Sequence, residues 1–92
     1  MDIFNQIAEK IIREQETIIG PLALEQAKNV PGIVLDQKQH VDLTGDKKKT
    51  VEKLIETYQN LFGNTSLEVC RSAVKDLVSK LPKDQVPALL LN

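Results

Sequence analysis

The feature that most constrains this chain is a self-similarity at an offset of 43 residues. Laying residues 8–28 over 51–71 without a gap matches Glu9 with Glu52, Lys10 with Lys53, Ile12 with Ile55, Gly20 with Gly63, Leu24 with Leu67 and Glu25 with Glu68. Seven further pairs keep their chemistry: Ala8 with Val51, Ile11 with Leu54, Ile18 with Leu61, Ile19 with Phe62, Ala23 with Ser66, Ala27 with Cys70, and Lys28 with Arg71. Helical periodicity alone accounts for some of the apolar matches, but not for a glycine followed four residues later by Leu-Glu. A period in the forties belongs to helix-pair repeats, and two copies make a duplicated hairpin rather than a solenoid.

Each copy reads as helix, glycine break, helix. Ile3, Phe4, Ile7, Ala8, Ile11, Ile12, Ile18 and Ile19 form one apolar stripe at helical spacing, which predicts a first helix over about residues 2–18. Gly20 can take the left-handed conformation that ends a helix, and Pro21 suits the first position of the next. That second helix runs to about Asn29, where Pro31-Gly32 stops it. In the second copy Val51, Leu54, Ile55, Tyr58, Leu61 and Phe62 predict a helix over about residues 46–62, with Thr44 or Asp46 as N-cap. After Gly63-Asn64, Thr65 and Glu68 have the spacing of a capping box. The fourth helix, with Leu67, Cys70, Ala73, Val74, Leu77, Val78 and Leu81 on its stripe, is expected to reach about Lys80 before Pro82. Beyond it, residues 84–92 have room for one short turn capped by Asp84, with Val86-Pro87 working against it.

Residues 32–45 match no strong helical pattern. Ile33 to Leu35 and Val41 with Leu43 are short apolar phrases that either pair as a small hairpin or pack down as a long loop. The expected architecture is all-α, a four-helix bundle of two duplicated helix-break-helix hairpins with an irregular segment between them. One domain spans residues 1–92, with repeat one over about 2–30, a linker over 31–45, repeat two over about 46–81 and a tail over 82–92.

Composition narrows the function. Twelve Leu, eight Ile and eight Val against two Phe, one Tyr and no Trp give an aliphatic core and no stacking platform for bases or sugars. A net charge of −1 removes the whole-chain electrostatic argument for a nucleic-acid or membrane-surface binder. The charge is divided, however: residues 1–46 hold four basic and eight acidic side chains, and residues 47–92 eight basic and five acidic. The halves are complementary, whether they dock within one chain or between two. A chain of 92 residues buries a modest fraction of its surface, which favours self-association, and a homodimer is expected. One Cys and one His supply neither a disulfide nor a zinc set, and there is no long apolar run and no secretory pattern, so the chain is expected to be cytoplasmic, metal-free and not membrane-bound.

No catalytic or cofactor-binding residue is predicted. His40 sits in a polar stretch without a Ser or Cys to activate, and Cys70 takes a core-facing slot matched by Ala27. The phrase from Thr44 to Thr50 lacks the paired glycines of a phosphate loop, and a single His cannot build a carboxylate-histidine metal site. Glu25 and Glu68, retained in both copies, fit the first turn of a helix, where acids favour the dipole. Two features remain. Lys47, Lys48 and Lys49 stand at a helix N-terminus, where cations oppose the dipole, and are candidates for contact with an anion. Val86, Leu89, Leu90 and Leu91 make an apolar tail suited to docking on a partner or a second copy. The expected function is therefore a non-enzymatic protein–protein interaction or regulatory module. The alternative is a nucleic-acid or other polyanion binder using the lysine cluster, joined by Lys53 or by Arg71, Lys75 and Lys80.

The phrase Ile18-Ile19-Gly20-Pro21-Leu22-Ala23, inside a helix-break-helix unit, resembles the Ile-Gly-Pro-x-Ala phrase of small helical modules of unknown role attached to bacterial signalling proteins such as serine/threonine kinases. It covers about twenty residues. The second copy departs from it at Gly63-Asn64-Thr65-Ser66, and the chain carries no kinase catalytic motif. The resemblance implies a bacterial regulatory or docking module and assigns no functional residue.

Overall fold

The computed structural model describes residues 2–91; Met1, and Asn92 at the end of the predicted tail, lie outside them. Four α-helices and one small sheet follow in order: α1 (Ile3–Ile19), α2 (Leu22–Lys28), β1 (Ile33–Leu35), β2 (Val41–Leu43), α3 (Lys47–Phe62) and α4 (Asn64–Val78). Two 3-10 turns, Lys83–Gln85 and Ala88–Leu90, end the described chain. The fold is predominantly helical. Of the two alternatives for residues 32–45, the hairpin forms: β1 and β2 pair antiparallel, with Ile33 opposite Leu43 and Leu35 opposite Val41.

Most of each stripe read from the sequence is a face that meets another, but Ile18 and Leu61, placed on those stripes at the ends of α1 and α3, lie exposed at 58% and 53%. Ile7, Ala8, Ile11 and Ile12 of α1, Val51, Leu54, Ile55 and Tyr58 of α3, Ala23 and Ala27 of α2, and Leu67, Cys70 and Val74 of α4 share one buried cluster. Each fully buried aliphatic side chain contributes about 1.5–3 kcal/mol. The most extensive helix pairing is α1 with α4. The hairpin closes one side, where Asn5 of α1 accepts the Leu43 N–H (3.1 Å) and donates to Asp42 Oδ1 (3.3 Å). At its turn, Asp36 Oδ1 accepts the N–H groups of Lys38 and His40, both at 2.8 Å, while Gln39 takes φ 65°.

The two breaks are built alike. Gly20 has φ 68° and ψ −150°, and Gly63 has φ 81° and ψ −170°, a region essentially reserved for glycine. The N–H of Gly20 donates to Glu16 O (2.8 Å) and that of Gly63 to Gln59 O (2.7 Å), and their carbonyls accept from Ala23 and Ser66, both at 3.1 Å. The backbone is therefore not in the left-handed helical region expected of a helix cap. The next helix begins within two residues, and an extended ψ swings the chain directly into it.

Beyond the breaks, two side chains cross between the hairpins. The Tyr58 hydroxyl donates to Ala23 O (2.7 Å), and Gln15 Nε2 donates to Ser66 O (3.1 Å) and reaches Cys70 Sγ (3.4 Å). Donors 15 and 58 are 43 residues apart, as are acceptors 23 and 66. All four positions are buried, and burial raises the Tyr58 hydroxyl above its ordinary pKa, keeping it a donor.

Three local expectations are corrected. Thr65 and Glu68 do not form a capping box: Gly63 holds the cap position without a side-chain bond, Thr65 already lies exposed inside α4, and Glu68 pairs with Arg71 (3.1 Å). Asp84 does not cap a final turn, because Pro82 and Pro87, with φ −58° and −53°, each open a 3-10 turn of their own. The last helix ends at Val78 rather than Lys80, since residues 79–81 turn the chain back toward α3.

Because Gly20 and Gly63 have open space around them, substitution there tests backbone conformation alone. Gly20→Ala and Gly63→Ala are each expected to destabilise the fold by about 1–3 kcal/mol in chemical denaturation, without changing the slope of the transition.

Candidate functional site

Of the predicted lysine cluster, Lys48 meets the predicted apolar tail, at one place on α3 and α4. Lys48 and Glu52 lie one turn apart on the same side of α3, and Arg71 lies midway along α4. The chain after Pro82 runs across all three as a strap. Val86 and Leu90 are buried in the common core, Pro87 is fully buried, Leu89 is half-buried, and only Leu91, 42% exposed, keeps a substantial apolar surface. Lys48 Nζ donates to Asp84 O (2.7 Å). Both carboxylate oxygens of Glu52 accept the Leu89 N–H at 3.3 Å. Arg71 Nε donates to Leu89 O (2.9 Å), and its Nη2 reaches Leu91 O (3.4 Å).

Toward the strap, each of the three charged side chains bonds main-chain groups, while Arg71 also pairs with Glu68 beside it on α4. The bonds of Lys48 and of Arg71 Nε, at 2.7 and 2.9 Å, have the short lengths of charge-assisted hydrogen bonds, while those of Glu52 and of Arg71 Nη2 are longer. They read direction and register rather than side-chain identity, while the buried positions of Val86, Pro87 and Leu90 select apolar residues. This is the division of labour seen when a groove binds an extended peptide.

The other lysines do not converge with Lys48. Lys47 Nζ pairs with Asp2 Oδ2 at 3.0 Å, tying the start of α3 to the N-cap of α1. Lys49 projects into solvent, and its N–H is taken by Asp46 Oδ1 (3.1 Å), the cap of α3. The helix N-terminus is thus satisfied from within the chain, which offsets the unfavourable placement of three cations there. Lys47 holds the Asp2 carboxyl below its ordinary value of 3.8, chiefly through their hydrogen bond.

His40 lies on the exposed hairpin turn, its Nδ1 3.3 Å from Asp36 Oδ2. The backbone N–H of His40 is the main influence lowering the Asp36 carboxyl. Cys70 is buried and free, and burial pushes its thiol up to about 11. Among the described residues no three His, Cys, Asp or Glu side chains gather as metal ligands, and no helix is long and apolar enough to cross a membrane.

A second feature lies along the α1/α4 seam. A groove of about 340 Å³ is lined by Gln6, Glu9, Lys10, Arg13, Ala73, Asp76 and Leu77, and a neighbouring depression shares Lys10, Ala73 and Asp76 and extends to Ile18. Glu9 in its wall is 9% exposed; Oε1 pairs with Arg13 Nη2 (2.6 Å), whereas the buried Oε2 has no hydrogen-bond partner. Sequence reasoning singled out neither Glu9 nor Glu52, and named Arg71 only for polyanion contact, beside Lys75 and Lys80. The signal available was the repeat itself, which aligns Glu9 with Glu52 and Lys28 with Arg71.

Compared with known proteins, the chain matches no family model, no curated protein and no solved structure.

Two measurements check these environments. Cys70 is expected to react negligibly with a thiol reagent at pH 8 in the native protein and fully after denaturation. For Asp2, a lowered carboxyl pKa stabilises the fold above its ordinary value of 3.8, an effect lost as pH falls through the lowered one. Asp2→Asn should therefore destabilise the protein at pH 6, with the gap to wild type closing in acid below that value.

Proposed function

We propose that this chain is a non-enzymatic protein–protein interaction or regulatory module, self-associating and built from two duplicated hairpins, whose α3/α4 face binds extended peptide. In the closed state the peptide is its own strap. The observation that carries this is the cradle: Lys48, Glu52 and Arg71 hold the strap solely through Asp84, Leu89 and Leu91 main-chain groups, above buried Val86, Pro87 and Leu90. Duplication is supported by the matched glycine breaks and by the reciprocal Tyr58 and Gln15 hydrogen bonds at the same 43-residue spacing. A bacterial regulatory setting, in the cytoplasm, is the context that the Ile-Gly-Pro phrase suggests.

Polyanion binding by Lys47, Lys48 and Lys49 has less support, since two of the three ammonium groups are already engaged and Asp46 caps the helix.

The test uses the full chain carrying Val86→Asp and Leu90→Asp, which releases the strap while leaving its cradle intact. A fluorescent synthetic peptide of residues 82–91 is expected to bind this variant and not the wild type, read by anisotropy. Adding Arg71→Ala and Glu52→Gln should weaken binding by about tenfold or more, since each loss of a charged partner is worth roughly 1.5–3 kcal/mol. A released variant that keeps its helical circular dichroism but ignores the peptide would overturn the reading.

A further inference from the structure

We infer that the peptide this cradle takes is the strap of a second copy, so that two chains exchange residues 82–91 and each fills the other's α3/α4 face. The inference rests on the peptide-binding reading above and names the ligand of that same site.

The cradle specifies its occupant closely. Val86, Pro87 and Leu90 are buried, Leu89 is half-buried and Ala88 is exposed. Val86 and Leu91 are extended, and Pro87, at φ −53° and ψ 138°, opens the 3-10 turn that places Leu90 in the core. An occupant must therefore offer an apolar residue, then a proline, then an apolar residue three positions on, with main-chain groups where Lys48, Glu52 and Arg71 reach them. At the fully buried second position a proline has no N–H to leave without a partner. A second copy of the chain carries this same segment. Every contact described for the strap is retained when the strap comes from a neighbour.

The connection to the strap allows the transfer. Residues 79–85 are exposed apart from half-buried Leu81, and Lys48 Nζ on Asp84 O ties this stretch to α3. A segment with so little buried surface opens at low cost while the helices stay folded. Extended, its seven residues reach about 23 Å. The shortest extent of the molecule is 19 Å, so the strap can cross to the cradle of a copy lying alongside.

The hinge favours the crossing. The apolar stripe of α4 runs on through Leu81, yet the helix stops at Val78. Lys80 and Leu81 donate only three residues back, to Leu77 O (3.1 Å) and Val78 O (3.0 Å). The Ser79 hydroxyl donates to Asp76 O (2.7 Å), the carbonyl that the Lys80 N–H would reach in a continued helix. Bonds of the three-residue type have poorer geometry than those of an α-helix. A strap that leaves for a neighbour no longer requires this turn, and α4 continues toward Pro82, where a helix must end. Closed and exchanged forms thus share every strap contact. They differ in the hinge and in the effective concentration of the strap, about millimolar for a short linker, which makes exchange a low-cost route to a dimer.

The experiment uses two full-chain variants, Ala88→Cys on the strap and Lys49→Cys on α3, both exposed and lining one depression beside the strap. They are mixed, concentrated together and treated with a short bis-maleimide, which buried Cys70 escapes. Covalent pairs joining position 88 of one chain to position 49 of another are expected, identified by mass spectrometry of the digested dimer. Adding Val86→Asp and Leu90→Asp to the Ala88→Cys chain should abolish them, and wild type should sediment as a dimer as its concentration rises. A wild type that stays monomeric up to millimolar concentration, without the cross-link, would overturn the exchange. So would a dimer that forms without the cross-link, since self-association would then use another surface. In either case, binding of the synthetic strap peptide to the released variant would leave the cradle standing. Failure of that peptide to bind would overturn the cradle and the exchange together.

Discussion

The two buried hydrogen bonds that cross between the hairpins are the constraint on which the rest of the structure depends. Tyr58 of α3 donates into the first turn of α2, and Gln15 of α1 donates into the first turn of α4. Each joins the long helix of one hairpin to the start of the second helix of the other. Apolar faces alone tolerate sliding, because aliphatic contact has no direction; a buried donor with one acceptor does not. These bonds set how far α1 and α3 sit along the partner hairpins. They require each second helix to begin where it does, and therefore depend on the glycine breaks that end α1 and α3 at matching positions. With the hairpins held in this way, α1 lies along α4, and the seam between them forms.

The same arrangement explains what became of the charges. Three lysines at the start of a helix are unfavourable while that helix is considered alone. In the folded chain Lys47 reaches the cap of α1, Lys48 reaches a carbonyl of the returning tail, and Asp46 covers the helix end. The cluster is thus distributed over three neighbours, and one of them is the strap. The strap's apolar residues in turn complete a core that four short helices leave open between α3 and α4. The tail and Lys48, unconnected in sequence, come together at one place in the fold.

Much of the fold was legible because helical periodicity and punctuation are local. The stripe of Ile7, Ala8, Ile11 and Ile12, the breaks at Gly20 and Gly63 and the stop at Pro31-Gly32 place the four helices to within a few residues. The hairpin was half legible: Val41 and Leu43 alternate with Asp42 like a strand, but three-residue strands carry too few positions for a period to show. The capping box at Thr65 and the cap at Asp84 misled for a related reason. Spacing shows which side chains are able to cap a helix, whereas glycine and proline geometry decides where the helix begins. The site was the least legible part. Glu9, Glu52 and Arg71 look like solvent-facing charges on amphipathic helices, and their difference from Lys53 or Glu56 lies in which segment crosses over them.

The sequence by itself determined the helices, their breaks, the aliphatic core and the 43-residue correspondence between the halves, because each follows from interactions within about one turn of helix or from a pattern repeated along the chain. Only the tertiary structure decided that Gln15 and Tyr58 act as reciprocal crosslinks, that Lys48 and the tail share one cradle, and that Glu9 keeps an oxygen without a donor. Those outcomes depend on distances between residues 35 to 51 positions apart or more loosely linked still, which no local rule of spacing encodes.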